Sequence, residues 1–260
     1  MDLKDGYIDL EINDYVRALR ERYKNEYIVI KELYVLFIEC EKKMGKKGAF
    51  QQNAYIMASI TQLYKLYQSA VLLFERGLKE SANVLIRTIL DLSFKIIEVI
   101  RNENYVDDLL MQDDIQFLKT LNNIKKNKLF DLVPEKDVNK FIFECNKRVN
   151  NKNVKVDTAY ALAEKNDLAK VYILYRIECD YTHQSTNVVG NVIKNSDKGV
   201  CIDAGFQMAD FKESIAWLIS ITTIVLPILI DEYIVDIELK NKYNEFMLNF
   251  VTHYKDLIND

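Results

Sequence analysis

Seven glycines and two prolines in 260 residues leave this chain almost without punctuation. Strands and tight turns draw on those two residues, so their scarcity commits the chain to long helices and few turns. The apolar spacing agrees. Tyr15, Leu19, Tyr23, Tyr27, Ile30 and Tyr34 recur at three- and four-residue steps through an amphipathic region over 7–43. After a break at Gly45-Lys46-Lys47-Gly48, residues Ile56, Ile60, Leu63, Tyr64, Tyr67, Val71 and Phe74 mark a helix that Gly77 ends or bends. Ser81 is placed to cap the next helix, which runs to about Arg101 and is too apolar for one narrow stripe. A more polar helix is expected over 107–128, and a short one after Pro134. The lysine-rich stretch Asn146–Val156 reads as an exposed loop. Asp157 and Asp167 read as the openings of two further helices, the second reaching Gln184 to Thr186. Between Asn191 and Gly205 the helical pattern fails. Val192-Ile193 and Val200-Cys201-Ile202, around a polar turn, suggest a small β-hairpin or an extended loop. Helices over 208–234 and 236–257 complete the chain. The expected fold is all-α: a single helical bundle over 49–260, preceded by an N-terminal helical extension over 1–48.

Ile215 to Ile230 contains no charged residue. It is shorter than the ~20 residues that cross a bilayer, and it includes Ser220, Thr222, Thr223 and Pro227. Acidic residues flank it and no Lys/Arg cluster does, so a buried central helix explains it better than a membrane span. The formal net charge of −4 gives no global attraction to nucleic acid or to an anionic membrane. Contact with nucleic acid would need a local basic patch. Lys125-Lys126-Asn127-Lys128 and Lys147–Lys155, near Phe130, Phe141 and Phe143, are the candidates, although such runs are usually solvated faces. Two histidines and four separated cysteines without a C-x-x-C pair argue against a metal or redox site, and no cofactor is expected. The opening Met1-Asp2-Leu3-Lys4-Asp5 lacks a signal pattern, which fits a reducing cytoplasm.

One of the two histidines lies in Tyr175-Arg176-Ile177-Glu178-Cys179-Asp180-Tyr181-Thr182-His183-Gln184. Seven helical residues turn through ~700°, close to two full turns, so Arg176, Asp180 and His183 share one face. Metal-independent RNA cleavage needs a proton-transfer group, a cation for the phosphorane and a group to orient the base. Histidine, arginine and aspartate suit those roles. The ends of the set lie ~10 Å apart along the helix, so long or facing side chains would be needed to converge. The plainer reading is a structural tie between helices. Arg87 and Asp91, one turn apart on the apolar helix, invite the same question. Charges in such a setting need partners, and an internal pair reaching toward Asp180 or His183 is the simpler account.

Together these stretches carry a resemblance. Leu85-Ile86-Arg87-Thr88-Ile89-Leu90-Asp91 resembles the L-x-R-[ST]-[ILV]-[LI]-E helix of a bacterial family catalogued as a domain of unknown function and regarded as HEPN-like. Tyr175 to Gln184 is similar to its second hallmark, Y-R-x-[LM]-S-x-x-x-H-[PG]. Asp91 stands in place of Glu, Cys179 in place of Ser and Gln184 in place of Pro. The resemblance implies a helical bundle, often dimeric, and an RNase motif of R-x4-6-H type at the dimer seam in toxin–antitoxin and antiphage systems. On that reading Arg176 holds the scissile phosphate, His183 is the general acid/base and Asp180 orients it. Arg87, Asp91 and Tyr175 then bind substrate or form a supporting network. The implied partners are RNA, a second copy of the chain, and an antitoxin or other protein. Active members usually carry a polar residue where this chain has Ile177. The alternative is a non-catalytic module that binds protein or a small ligand, with Arg87, Asp91, Arg176 and His183 in a buried polar network.

Overall fold

The structure is a computed structural model, and it describes residues 11–44, 50–131, 133–149, 157–183, 193–196, 199–202 and 211–258. The fold is all-α with one small hairpin. Its helices are α1 (Ile12–Arg22), α2 (Lys24–Met44), α3 (Phe50–Glu75), α4 (Lys79–Arg101), α5 (Tyr105–Lys126), α6 (Glu135–Val149), α7 (Ala159–Lys165) and α8 (Ala169–Thr182). Then come strands β1 (Ile193–Ser196) and β2 (Gly199–Ile202), followed by α9 (Phe211–Ile234), α10 (Ile237–His253) and α11 (Lys255–Ile258). The strands pair antiparallel, Ile193 opposite Ile202 and Ser196 opposite Gly199. The chain forms two compact units, Met1–Arg101 with Ala159–Asp260, and Asn102–Thr158.

In the first unit, α3 and α4 form the central pair, and α4 also packs on α8 and α9. Tyr67, Phe37, Phe94, Leu33, Ile60, Leu63, Ile86 and Leu90 are fully buried there. Gly77 makes the turn between the two helices. It adopts φ 68°, and the Leu78 N–H donates back to the Leu73 carbonyl at 2.9 Å, which closes α3. A side chain at that φ would meet the following carbonyl, so glycine suits the position. Helix α4 starts at Lys79, so Ser81 lies inside its first turn and is not its cap.

Asp167 also departs from expectation. It does not cap α8; it takes the left-handed conformation (φ 60°), while the Leu168 N–H donates to the Ala163 carbonyl at 2.7 Å. Aspartate tolerates that conformation better than most residues, and here it ends α7.

Helices α1 and α2, within the expected extension, are knitted to the body. Arg20 donates to both oxygens of the fully buried Glu75 at 2.8 and 2.9 Å, and the Tyr27 hydroxyl donates to the same carboxylate at 2.5 Å. Lys43 bonds Asp236 at 2.7 Å, and Lys242 reaches Glu39 at 3.1 Å. A carboxylate as enclosed as Glu75 is tolerable only with such partners.

Helix α9 is long and apolar enough to cross a membrane by length and composition, yet 61% of its most apolar window is buried inside the protein. Ile215, Leu218, Ile219, Ile221, Val225 and Leu226 have no exposure, so this segment is the core helix the sequence suggested. Its interior is irregular for a local reason. Pro227 has no N–H to offer the preceding turn, and the helix tightens to a 3-10 turn at Thr223–Val225. It then widens to a π turn over Leu229–Ile234, closed by the Val235 N–H on the Ile230 carbonyl at 2.8 Å. The Thr222 and Thr223 hydroxyls fold back onto the Leu218 and Ile219 carbonyls at 2.7 and 2.9 Å.

The second unit contains the antiparallel pair α5–α6. Arg148 grips Asp114 with two bonds of 2.8 and 2.6 Å, holding that carboxyl below its usual range. Phe117 packs on Phe141 with centroids 6.1 Å apart, and Lys125 donates to Asn139 at 2.9 Å. Helix α6 continues to Val149, so the first residues of the expected Asn146–Val156 loop are helical, and 150–156 lie outside the described residues.

Candidate functional site

Helix α8 has two chemically different faces. At 100° per residue, Tyr175, Glu178 and Cys179 turn inward while Arg176, Asp180 and His183 turn outward. The inward face is anchored by Arg87 of α4. Its Nη2 donates to the Tyr175 hydroxyl at 2.9 Å and its Nε to the Cys179 Sγ at 3.4 Å. The guanidinium carbon also lies 5.1 Å from the Tyr175 ring centre. Tyr172 stacks on Tyr175 at 5.7 Å, and Phe94 approaches it at 6.0 Å. Burial, set against the lowering pull of Arg87, raises the Tyr175 hydroxyl pKa above its usual value.

The expected Arg87–Asp91 pair is not formed. Asp91 accepts from Lys95, one turn onward, at 2.9 Å. That acid-then-base order at four residues is the favourable one on a helix, and it leaves the Arg87 fork free for α8.

Arg176, Asp180 and His183 are all exposed, and among the described residues no hydrogen bond or ion pair engages their side chains. The His183 main-chain N–H bonds the Cys179 carbonyl at 3.0 Å and closes the helix. These three therefore do not belong to a buried network, and Asp180 is not bonded to His183 in the single chain. Beside them stand two aliphatic side chains facing solvent, Ile173 (59% exposed) and Ile177 (52%). Gln184 lies outside the described residues.

Glu178 is the residue that reasoning from sequence missed. It is 3% exposed, and the Trp217 indole N–H of α9 donates to its Oε1 at 3.0 Å. Among the described residues its Oε2 is buried without a partner, as is the hydroxyl of Thr182 one turn later. Burial pushes the Glu178 carboxyl up to about 7, against the lowering effect of the Trp217 bond. A signal was present: Trp217 is the only tryptophan, it lies in a charge-free run, and a buried indole N–H needs an acceptor.

The other end of α8 is fixed through α4 and α7. Buried Glu98 of α4 pairs with Lys165 and accepts from the Asn166 Nδ2 at 3.0 Å. Arg101 donates to Glu232 at 2.9 and 2.7 Å and to the Asn166 carbonyl at 3.2 Å. Among the described residues no group of three or more His, Cys, Asp and Glu side chains converges to hold a metal ion.

Fold and site together define a class: an all-α bundle in which a half-buried arginine clamps a helix that turns an Arg–Asp–His face to solvent. The chain belongs to the family described as "Family of unknown function (DUF5677)", which matches residues 53–200. Comparison with curated proteins and with solved structures gives no match.

Proposed function

We propose that the protein is a metal-independent endoribonuclease of HEPN type, acting in the cytoplasm in bacterial defence or a toxin–antitoxin stress response. The observation that carries this reading is the exposed, unengaged Arg176–Asp180–His183 face on a helix whose opposite side is clamped. A set of this composition, left free while the opposite side of its helix is held, is available to substrate. Arg176 would hold the scissile phosphate with its planar fork. His183 would take the proton from the 2′-hydroxyl as the 2′-oxygen attacks phosphorus and the bond to the 5′-oxygen breaks; a second His183 would return a proton to the leaving oxygen. Asp180, one turn before His183 on the same face, would orient the ring as substrate binds. The ~10 Å rise between the ends of the set favours a dimer in which the two faces meet, and Ile173 and Ile177 supply apolar surface for that seam. RNA is then the substrate, and an antitoxin a further partner. The reaction predicts products ending in a 2′,3′-cyclic phosphate and a 5′-hydroxyl, formed in excess EDTA. Products carrying a 5′-phosphate would contradict attack by the 2′-oxygen, and no cleavage of any RNA by the dimer would argue for the non-catalytic binding module.

A further inference from the structure

The inward side of the motif helix holds a group that the proposed chemistry does not use. Glu178 is enclosed between α8 and α9, with one oxygen bonded to Trp217 and the other, among the described residues, to nothing. Thr182, one turn later, also has a buried hydroxyl without a partner. The charges on the elements packed around α8 are engaged elsewhere or exposed. Arg87 of α4 serves Tyr175 and Cys179, Asp91 takes Lys95, and Glu98 takes Lys165 at the end of α7. On α9, Lys212 lies over the Tyr254 ring at 5.9 Å and Glu213 is exposed. Among the described residues no cation compensates Glu178, so a neutral carboxyl fits this position and an ionised one does not.

We propose that Glu178 is a positioning residue, a proton-dependent latch: a neutral carboxyl lets α8 seat against Trp217 of α9, and ionisation loosens that seat because the cost of an enclosed, uncompensated charge outweighs the stronger bond it would accept from the indole N–H. The latch sits on the same two turns of helix as Arg176, Asp180 and His183, so its state sets how firmly that face is presented. Its consequence for RNA cleavage rests on the nuclease reading; the latch itself does not. Burial is the main cause of the raised Glu178 pKa, and the switch therefore falls near neutrality, where a cell can use it.

The single tryptophan makes the latch directly visible. Indole emission of the full-length wild type, titrated from pH 5 to 9, should change with a midpoint near 7. The change should vanish in Glu178→Gln, which keeps a neutral acceptor for the Trp217 N–H. A flat wild-type titration overturns the proposal. So does an equal titration in Glu178→Gln, which would assign the signal to another group. Should Glu178→Gln not fold, carbon-13 NMR of the wild-type glutamate carboxyls reads the same group. One glutamate titrating near 7 supports the latch, and all titrating below about 5.5 sinks it. RNA cleavage measured alongside separates the two ideas. Emission that titrates without any nuclease activity keeps the latch and removes the nuclease.

Discussion

Arg87 makes the contact that turns two sequence motifs into one structure. Its hydrogen bonds to Tyr175 and Cys179 are charge-assisted and partly enclosed. Arg87→Met should therefore lower unfolding stability by about 1–3 kcal/mol in urea titrations. Arg87→Lys should recover only part of that, because an ammonium cannot fork to both partners. Asp91→Asn should change stability by less than about 1 kcal/mol, since its pair with Lys95 is half-exposed. Glu178 has the opposite character. Its folded-state pKa is raised from 4.5 to about 7. The stability it allows is complete below about 4.5 and is lost as pH rises through about 7, by on the order of 3 kcal/mol. Unfolding of wild type and Glu178→Gln should diverge across that window, with the variant the more stable at pH 8. Parallel curves would contradict the assignment. At this scale the sequence was partly legible. That Arg87 would need a partner followed from its apolar helix. Which partner did not, because Asp91 lies at the right spacing yet is taken by Lys95.

At the scale of elements, the helices were legible and their ends less so. Apolar spacing marks α3, α4 and α9 because each must bury most of its surface. Ends depend on single backbone conformations, and these escaped the pattern. Asp167 read as the opening of α8 and is a left-handed terminator of α7, and Ser81 looked like a cap and lies inside α4. The junction of α9 and α10 is the clearest case. Val235 ends the π turn at φ 54°, a conformation that crowds a β-branched side chain. Val235→Gly should raise stability by about 1 kcal/mol, seen as a higher melting temperature. The next residue, Asp236, accepts the Leu239 N–H at 2.9 Å as a true N-cap, and Asp236→Ala should cost about 1 kcal/mol. Both residues are in plain view in the sequence. No periodicity distinguishes them, because a cap is a local hydrogen bond and leaves no repeating trace.

At the scale of the molecule, the all-α bundle was foreseeable from nine Gly and Pro residues and one charge-free run. How α1 and α2 attach was not. They are tied down by Arg20 and Tyr27 on the buried carboxylate of Glu75, a pairing 55 residues apart for the arginine. Arg20→Ala should cost roughly 3 kcal/mol, because it strands that carboxylate, and Glu75→Gln should relieve much of the loss in the double variant. On the proposed reading, the outward faces of α8 from two copies of the chain meet. Ile177→Asp should shift a dimer toward monomer in sedimentation and lower RNA cleavage with it. The central claim is that the exposed Arg176 and His183 perform chemistry and do not support the fold. Metal-free RNA cleavage by wild type, Arg176→Ala and His183→Ala, with melting temperatures taken on the same samples, tests it most directly. The account predicts cleavage by wild type alone and melting temperatures that agree within a few degrees, since exposed, unpaired side chains contribute little stability. Equal cleavage by all three proteins, or activity lost only alongside a collapse in melting temperature, would contradict it.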